Sequence, residues 1–286
     1  YFHFEMNSND IQDSIERSVL FFLHIPKTAG TSVNEVLARN LRDKLIYVPH
    51  VFLEGPIPRR KLSFWLKEDA SKKSVVSHRL SLDLPWNNPC FETIAFTVVR
   101  NPYSWIRSQY HYCRQPGIIS FSPAKDAKDF IGFLESLVAF ETQSKLINGQ
   151  HNHITTNSDE DPFQLAREGK LILLPHDRLE EGMLRLERDL PEFFQDASIP
   201  RLNAAKKRSK TEVPETLKTR FEEKNHLDQS LYQLSHELLD SWIDEHGGEN
   251  WTESLAQFKR RCKIRTKIKS PVKSFVSRVA SVVSRW

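Results

Sequence analysis

The sequence predicts an α/β fold, with three α/β/α layers around a central parallel sheet. Three observations predict it. Short, continuously apolar runs such as "VLFFLHI" (19–25) have the composition of strands buried on both faces. Segments of helical period separate these runs. No apolar run approaches the roughly 20 residues of a membrane helix, in a chain of 286 residues that is 39% hydrophobic and 27% charged.

The elements follow in order. Residues 1–18 are a polar lead-in, and 19–25 is the first strand. Thr31 to about Asn40 is the first helix: Val33, Val36, Leu37 and Leu41 recur at helical spacing, and Thr31 or Ser32 can cap its start. "KLIYV" (44–48) gives a second strand, and Gly55, Pro56 and Pro58 break the chain before a helix near 59–68. "KSVVSH" (73–78) and "ETIAFTVVR" (92–100) are further strands. Pro102 stands where the first turn of a helix tolerates it, and "YSWIRSQYHYCR" follows. The pattern is helical over 128–148. "KLILLPHD" (170–177) is a last buried strand, and 179–190 is an amphipathic helix with Leu179, Met183, Leu186 and Leu190 on one face. Residues 214–244 are helical. One domain over 19–250 and a basic amphipathic tail over 251–286 are expected.

Charge divides the chain in the same way. Of 41 Lys and Arg residues, ten lie from Lys259 onward, where Asp and Glu are absent. The preceding chain then carries 31 basic against 37 acidic groups, so its charge does not point to a nucleic-acid partner. Cys90, Cys113 and Cys262 form neither a CxxC nor a zinc-spaced cluster. A reducing compartment is favoured, hence a cytoplasmic location. No secretory signal is visible and the chain starts at Tyr1; a Golgi lumen is the alternative should an N-terminal anchor have been removed.

The first strand runs into His24-Ile25-Pro26-Lys27-Thr28-Ala29-Gly30 and then a helix. Such a strand–loop–helix presents backbone N–H groups and the positive helix end to a phosphate or sulfate. Lys27 adds a charge, Thr28, Thr31 and Ser32 add hydroxyls, and Gly30 permits a close backbone approach or a positive φ. The lysine precedes the glycine, unlike GxxxxGK[ST]. An ordinary tight turn is the bland alternative. At a second strand end, where a nucleoside triphosphatase usually carries a metal-holding Asp, this chain has Arg100, with Ser108 two turns along the helix behind it. That makes two anion sites with no evident metal site. A donor with phosphates at both ends of a ribose, 3′-phosphoadenosine 5′-phosphosulfate (PAPS), matches them.

Taken together, "FLHIPKTAGTS" and "VVRNPYSWIRSQY" resemble the PAPS-dependent sulfotransferases, in particular the carbohydrate branch with the heparan 2-O- and 6-O-sulfotransferases and their bacterial relatives. "FETQSKLING" (140–149), "LILLPHDRLEEGMLRLERDL", "LNAAKKRSKTEVPETL" and "DQSLYQL" extend the resemblance over roughly 19–240. It implies a P-loop-like sulfotransferase fold, PAPS as co-substrate, no metal and a carbohydrate or glycoconjugate acceptor. It assigns Lys27, Thr28, Ala29, Gly30, Thr31 and Ser32 to the 5′-phosphosulfate and Arg100 and Ser108 to the 3′-phosphate. Lys206, Lys207 and Arg208 sit where the family closes over the donor. The long insertions and paired cysteines of Golgi-resident members are missing.

Sulfuryl transfer to a hydroxyl needs a base. His78, ending its strand at the ligand-binding edge of the sheet, is the candidate, against a structural histidine there. His24 is expected to orient the loop by packing. His111 is a weaker candidate, His151 and His153 are expected on the surface, and His176 with Asp177 is expected to help shape the cleft. Core packing is expected for most of Trp86, Tyr103, Trp105 and Tyr110, with stacking on adenine or sugar the alternative. Acceptor contacts are expected from 49–70, 79–90 and 112–127. In the tail, Phe275, Val276, Val279, Val282, Val283 and Trp286 share a helical face, as in a helix lying on an anionic membrane. The same face could equally grip an acidic polysaccharide or a partner chain, and a disordered, solvated tail is the bland alternative. The competing functions are a P-loop kinase and a non-catalytic nucleotide or polyanion binder.

Overall fold

The continuous apolar runs become strands whose neighbours alternate between two cores. In a computed structural model, which describes residues 17–49, 55–116, 122–139, 145–201 and 212–268, the first strand is β1 (Ser18–Leu23). Its Leu20 and Phe22 enter one hydrophobic core, and its Val19, Phe21 and Leu23 enter the other. The period-two alternation of a strand therefore feeds both faces at once. With β2 (Leu45–Val48), β3 (Ser74–Ser77), β4 (Glu92–Val99) and β5 (Leu171–Pro175) it forms one sheet of five parallel strands in the order β2-β3-β1-β4-β5. From β1 the chain goes to β2 at the sheet edge, returns to β3 between β2 and β1, then crosses to β4 on the other side of β1. Such a reversal opens a crevice at the carboxyl ends of the strands around β1.

Helices cover both faces, giving the three-layer architecture. One face carries α1 (Gly30–Leu41), α8 (Leu179–Asp189) and α11 (Trp251–Lys267), through Val33, Val36, Leu37, Met183, Leu186, Phe258 and Cys262. The other carries α2 (Arg59–Glu68), α7 (Pro162–Arg167) and α10 (His226–His246), through Leu62, Leu66, Leu165, Leu231 and Leu234. A third cluster joins α3 (Pro102–Cys113), α5 (Phe130–Ala139) and α9 (Glu215–Lys224) around Phe133, Leu134 and Phe221. The short helices α4 (Ser122–Asp126) and α6 (Gly149–Thr155) complete the described α-helices.

Several expectations need correction. Of the stretch 128–148, Phe130–Ala139 is helix and residues 145–148 form a turn, and a separate helix, α6, begins at Gly149 where none was expected. The stretch 214–244 is two helices that break at Asn225, whose side chain donates to the Phe221 carbonyl at 2.7 Å. Residues 251–267 are not an appendage. Phe258 and Cys262 are buried in the core, and Arg261 and Arg265 pair with Glu187 and Asp196. Residues 269–286, with the amphipathic face read in the tail, lie outside the described residues, as do Lys206, Lys207 and Arg208. Among the described residues no helix is long and apolar enough to cross a membrane.

Candidate anion-binding cleft

The loop after β1 is held by its neighbours rather than by its own caps. Neither Thr31 nor Ser32 caps α1: the N-cap is Ala29, in the left-handed region at φ 71°, with no side-chain cap. Lys27 is left-handed too, at φ 69°. Two non-glycine residues with positive φ, two positions apart, store strain that the surroundings must hold. Three side chains do so. Thr97 Oγ1 donates to the Leu23 carbonyl at 2.7 Å, Trp105 Nε1 to Pro26 at 2.8 Å, and Arg100 Nη1 to Lys27 at 3.2 Å. Thr28 turns inward, fully buried, and its hydroxyl donates to the Ile25 carbonyl at 2.8 Å, so it is a loop brace and not an outward donor. The amides of Gly30 and Thr31 precede the first helical carbonyl and have no acceptor within α1.

Gly30 does not adopt the positive φ that was one of its two expected roles. Its φ is helical, and a Cβ there would lie 1.5 Å from His24 Nε2. The missing side chain makes room for the His24 ring, which stacks on His78 with centroids 3.7 Å apart. His24 is buried, and Asn34 Nδ2 approaches its Nδ1 at 3.5 Å. Burial first, then the neighbouring His78 and His153, holds His24 well below the ordinary histidine range.

His78 stands at the carboxyl end of β3, level with the loop. Its Nδ1 lies 2.8 Å from the His24 carbonyl oxygen. A carbonyl only accepts, so Nδ1 carries the proton and Nε2 is the nitrogen with the lone pair. That is the tautomer a general base needs at Nε2. His153, expected on the surface, instead lies on α6 beside these two rings; burial, followed by His78, pushes it down to about 4. His151 is half-buried on the same helix, and burial lowers it as well.

The second candidate anion site lies at the end of β4. The Arg100 guanidinium is half-buried, burial lowers its pKa, and its Nε has no hydrogen-bond partner. Arg100, Asn101, Ser104, His176, Asp177 and Tyr232 line a cavity of about 280 Å³. Ser104, one turn into α3, is the serine in this wall, whereas Ser108 lies a further turn along and does not line the cavity. Burial, then Arg100, pushes His176 down to about 4. Lys27 reaches the other way. Its Nζ lies over the Tyr112 ring, 4.3 Å from the centroid, near the end of α3.

The aromatic candidates are mostly core. Trp105, Tyr110 and Tyr103 pack with Phe130, Phe133 and Phe221, and Trp86 Nε1 donates to the Leu82 carbonyl at 2.9 Å. Sequence reasoning missed Gln150 and Asp228, both fully buried. The Gln150 side chain accepts from the Arg100 N–H at 2.8 Å and donates to the Arg100 carbonyl at 2.7 Å. Asp228 accepts from the amides of Gln150 and His151. Burial outweighs these bonds and raises Asp228 to about 6. The available signals were a polar residue directly after the Gly that closes "KLING" and the segment "DQSLYQL", which opens on Asp228 but gives that residue no role by itself.

No family model matches the chain. It is similar to an uncharacterized protein of Archaeoglobus fulgidus, 26% identical over 210 residues, which span 66% of this chain and 80% of that one.

Proposed function

We propose that the protein is a sulfotransferase that moves the sulfuryl group of 3′-phosphoadenosine 5′-phosphosulfate to a hydroxyl of a carbohydrate or glycoconjugate acceptor. One observation carries the reading. The anion-binding loop and Arg100 are neighbours in hydrogen-bond contact, and His78, with its lone pair on Nε2, stands at the adjacent strand end. The donor's chemistry suits these residues. Arg100 has a buried Nε without a partner beside a cavity of about 280 Å³, so a 3′-phosphate there supplies the missing acceptor. The amides at the start of α1 and the Lys27 ammonium suit the charge that develops on the departing 5′-phosphate.

In this mechanism His78 Nε2 takes the acceptor hydroxyl proton as the acceptor oxygen forms its bond to sulfur. The bond from sulfur to the bridging phosphate oxygen breaks, and adenosine 3′,5′-bisphosphate leaves with that electron pair. His24 stays neutral and keeps His78 oriented through its carbonyl and its ring.

Calorimetric titration with adenosine 3′,5′-bisphosphate, followed by transfer from sulfur-labelled donor to a panel of glycans, lipids and small alcohols, tests the reading. Wild-type protein binds the bisphosphate and labels a glycan. Lys27→Ala loses both, and His78→Ala keeps the nucleotide while transfer falls by about 10²- to 10⁴-fold. If Lys27→Ala keeps both binding and transfer, the assignment is wrong.

A further inference from the structure

We propose that α6 is a bracket that sets the spacing between the two ends of the cleft, with Gln150 and Asp228 as its positioning residues. The part of this claim that concerns transfer rests on the donor reading above.

The bracket has attachments on three sides. At one end the Gln150 amide satisfies both the N–H and the carbonyl of Arg100, at 2.8 and 2.7 Å. Arg100 lies one residue past β4, where the sheet no longer supplies main-chain partners, so Gln150 acts as one further rung of the ladder. At the other end the Ile154 carbonyl accepts from the Leu82 N–H at 2.7 Å, in the segment that leaves His78. His153 packs beside His24 and His78. On the third side a Cβ at Gly149 would lie 2.4 Å from the Trp105 ring, and Trp105 holds the anion-binding loop through Pro26. One helix of seven residues therefore touches the Arg100 strand end, the His78 segment and the tryptophan that braces the loop.

So short a helix is not stable by itself. It is fixed by an exchange of caps with α10. Asp228, in the first turn of α10, accepts from Gln150 N at 3.1 Å, His151 N at 2.8 Å and Gln150 Nε2 at 3.4 Å. In return Asn148 Oδ1 accepts from Leu227 N at 3.0 Å and Asp228 N at 3.3 Å, and Asn225 Oδ1 accepts from Asn148 N at 2.9 Å. Each helix satisfies N–H groups that the other leaves without partners. Asp228 thereby holds the Gln150 backbone and points its side-chain amide at Arg100.

The test uses the full chain with Gln150→Ala, Gln150→Glu and Asp228→Asn. Three quantities are read: amide hydrogen exchange at Arg100 without nucleotide, affinity for adenosine 3′,5′-bisphosphate, and kcat separately from KM for the acceptor. In Gln150→Ala we expect faster exchange at Arg100, about tenfold weaker nucleotide binding and kcat lower by about 100-fold, with acceptor KM unchanged. Gln150→Glu keeps the shape but sets an acceptor against the Arg100 carbonyl; it gives the same pattern if the alanine variant fails to fold. Because Asp228 acts through Gln150, the Asp228→Asn effect on nucleotide affinity is largely absent in a Gln150→Ala background. Wild-type exchange at Arg100 together with wild-type nucleotide affinity in both Gln150 variants overturns the bracket. Wild-type protein that binds no bisphosphate, while exchange at Arg100 still responds to Gln150, overturns the donor reading and leaves the bracket standing.

Discussion

The molecule treats its arginines in two opposite ways. Where α11 meets α8, Arg261 pairs with Glu187 at 2.6 Å and Asp196 at 3.2 Å, and Arg265 pairs with Asp196 at 2.6 Å. Arg39 donates to the carbonyls of Asp196 and Ser198 in the same cluster. Burial opposes ionisation of Asp196, yet bonds from Ser198 and Arg265 draw its carboxyl down to about 2. The Glu187 carboxylate holds Arg261 above the usual arginine range. At the cleft, Arg100 makes no salt bridge with any described carboxylate, burial lowers its pKa, and its Nε lacks a partner. A paired arginine locks one helix to another. A desolvated arginine without a counter-charge stays charged at neutral pH at some cost, which an anionic ligand relieves.

Substitution of the two kinds should separate binding from stability. Arg100→Ala is expected to weaken adenosine 3′,5′-bisphosphate binding by on the order of 4 kcal/mol, roughly 1000-fold. The variant loses its bond to the Lys27 carbonyl but leaves no carboxylate stranded, so its melting temperature should fall less than that of Arg261→Ala. Arg261→Ala should do the reverse, with unchanged nucleotide affinity in calorimetry and a lower melting temperature. Equal affinity losses in the two variants would erase the contrast.

The apolar half of the α11 contact gives the next largest effect. Phe258 is fully buried between the helices and the sheet. Phe258→Ala should cost about 3–4 kcal/mol of stability in urea unfolding. Nucleotide affinity, measured at a temperature where the variant is folded, should not move. A cost under about 1 kcal/mol would mean that residues 251–267 are peripheral after all.

Acid distinguishes the regions in another way. His153 and His176, both at the cleft, are held down to about 4. A histidine whose folded pKa lies below its unfolded value stabilises the fold above about pH 6.5, and that stability is lost as pH falls toward 4. By pH 5 each of these two contributes a loss of about 2 kcal/mol relative to neutral pH. Asp228, raised to about 6, works with the opposite sign and recovers about 1 kcal/mol over the same interval. The net slope is toward acid lability. The α11 clamp does not share it, since Asp196 titrates only near 2. Urea unfolding at pH 7 and pH 5 should give a smaller difference for His153→Gln than for wild type, by about 2 kcal/mol. An unchanged difference would place the acid sensitivity elsewhere.

The sheet was legible in the sequence because strands buried on both faces must be apolar without interruption. All five runs read as strands are strands, to within one or two residues. The loop was legible as a strand-to-helix turn in outline but not in its workings. Left-handed backbone at Lys27 and Ala29 is imposed by distant side chains, and no local signal marks it in residues other than glycine. Gly30 was conspicuous, yet its reason is the His24 ring, a contact that appears only once β1 and α1 are folded together. "GQHNHIT" has no apolar period, so α6 could not be seen. It is a helix because Asp228 caps it from 78 residues further along the chain. Ser104 and Ser108 share a helix face, and only the placement of the β5 end, with His176 and Asp177, decides which of them lines the cavity.

The smallest effect concerns Lys27, which sits between the two treatments of charge. Its ammonium rests on the Tyr112 ring, where a half-exposed cation–π contact contributes about 0.5–1 kcal/mol. Tyr112 closes α3, about 15 Å along the axis from the Pro102 end. In the proposed donor complex, a phosphate at the start of α1 competes with the ring for the ammonium. Tyr112→Leu removes that competition and should tighten adenosine 3′,5′-bisphosphate binding by about 2- to 5-fold. In a Lys27→Ala background the same substitution should do nothing, because the contact it removes is already gone. Weaker binding in Tyr112→Leu would mean that the ring holds Lys27 in its binding position, and the tyrosine would then belong to the phosphate site itself.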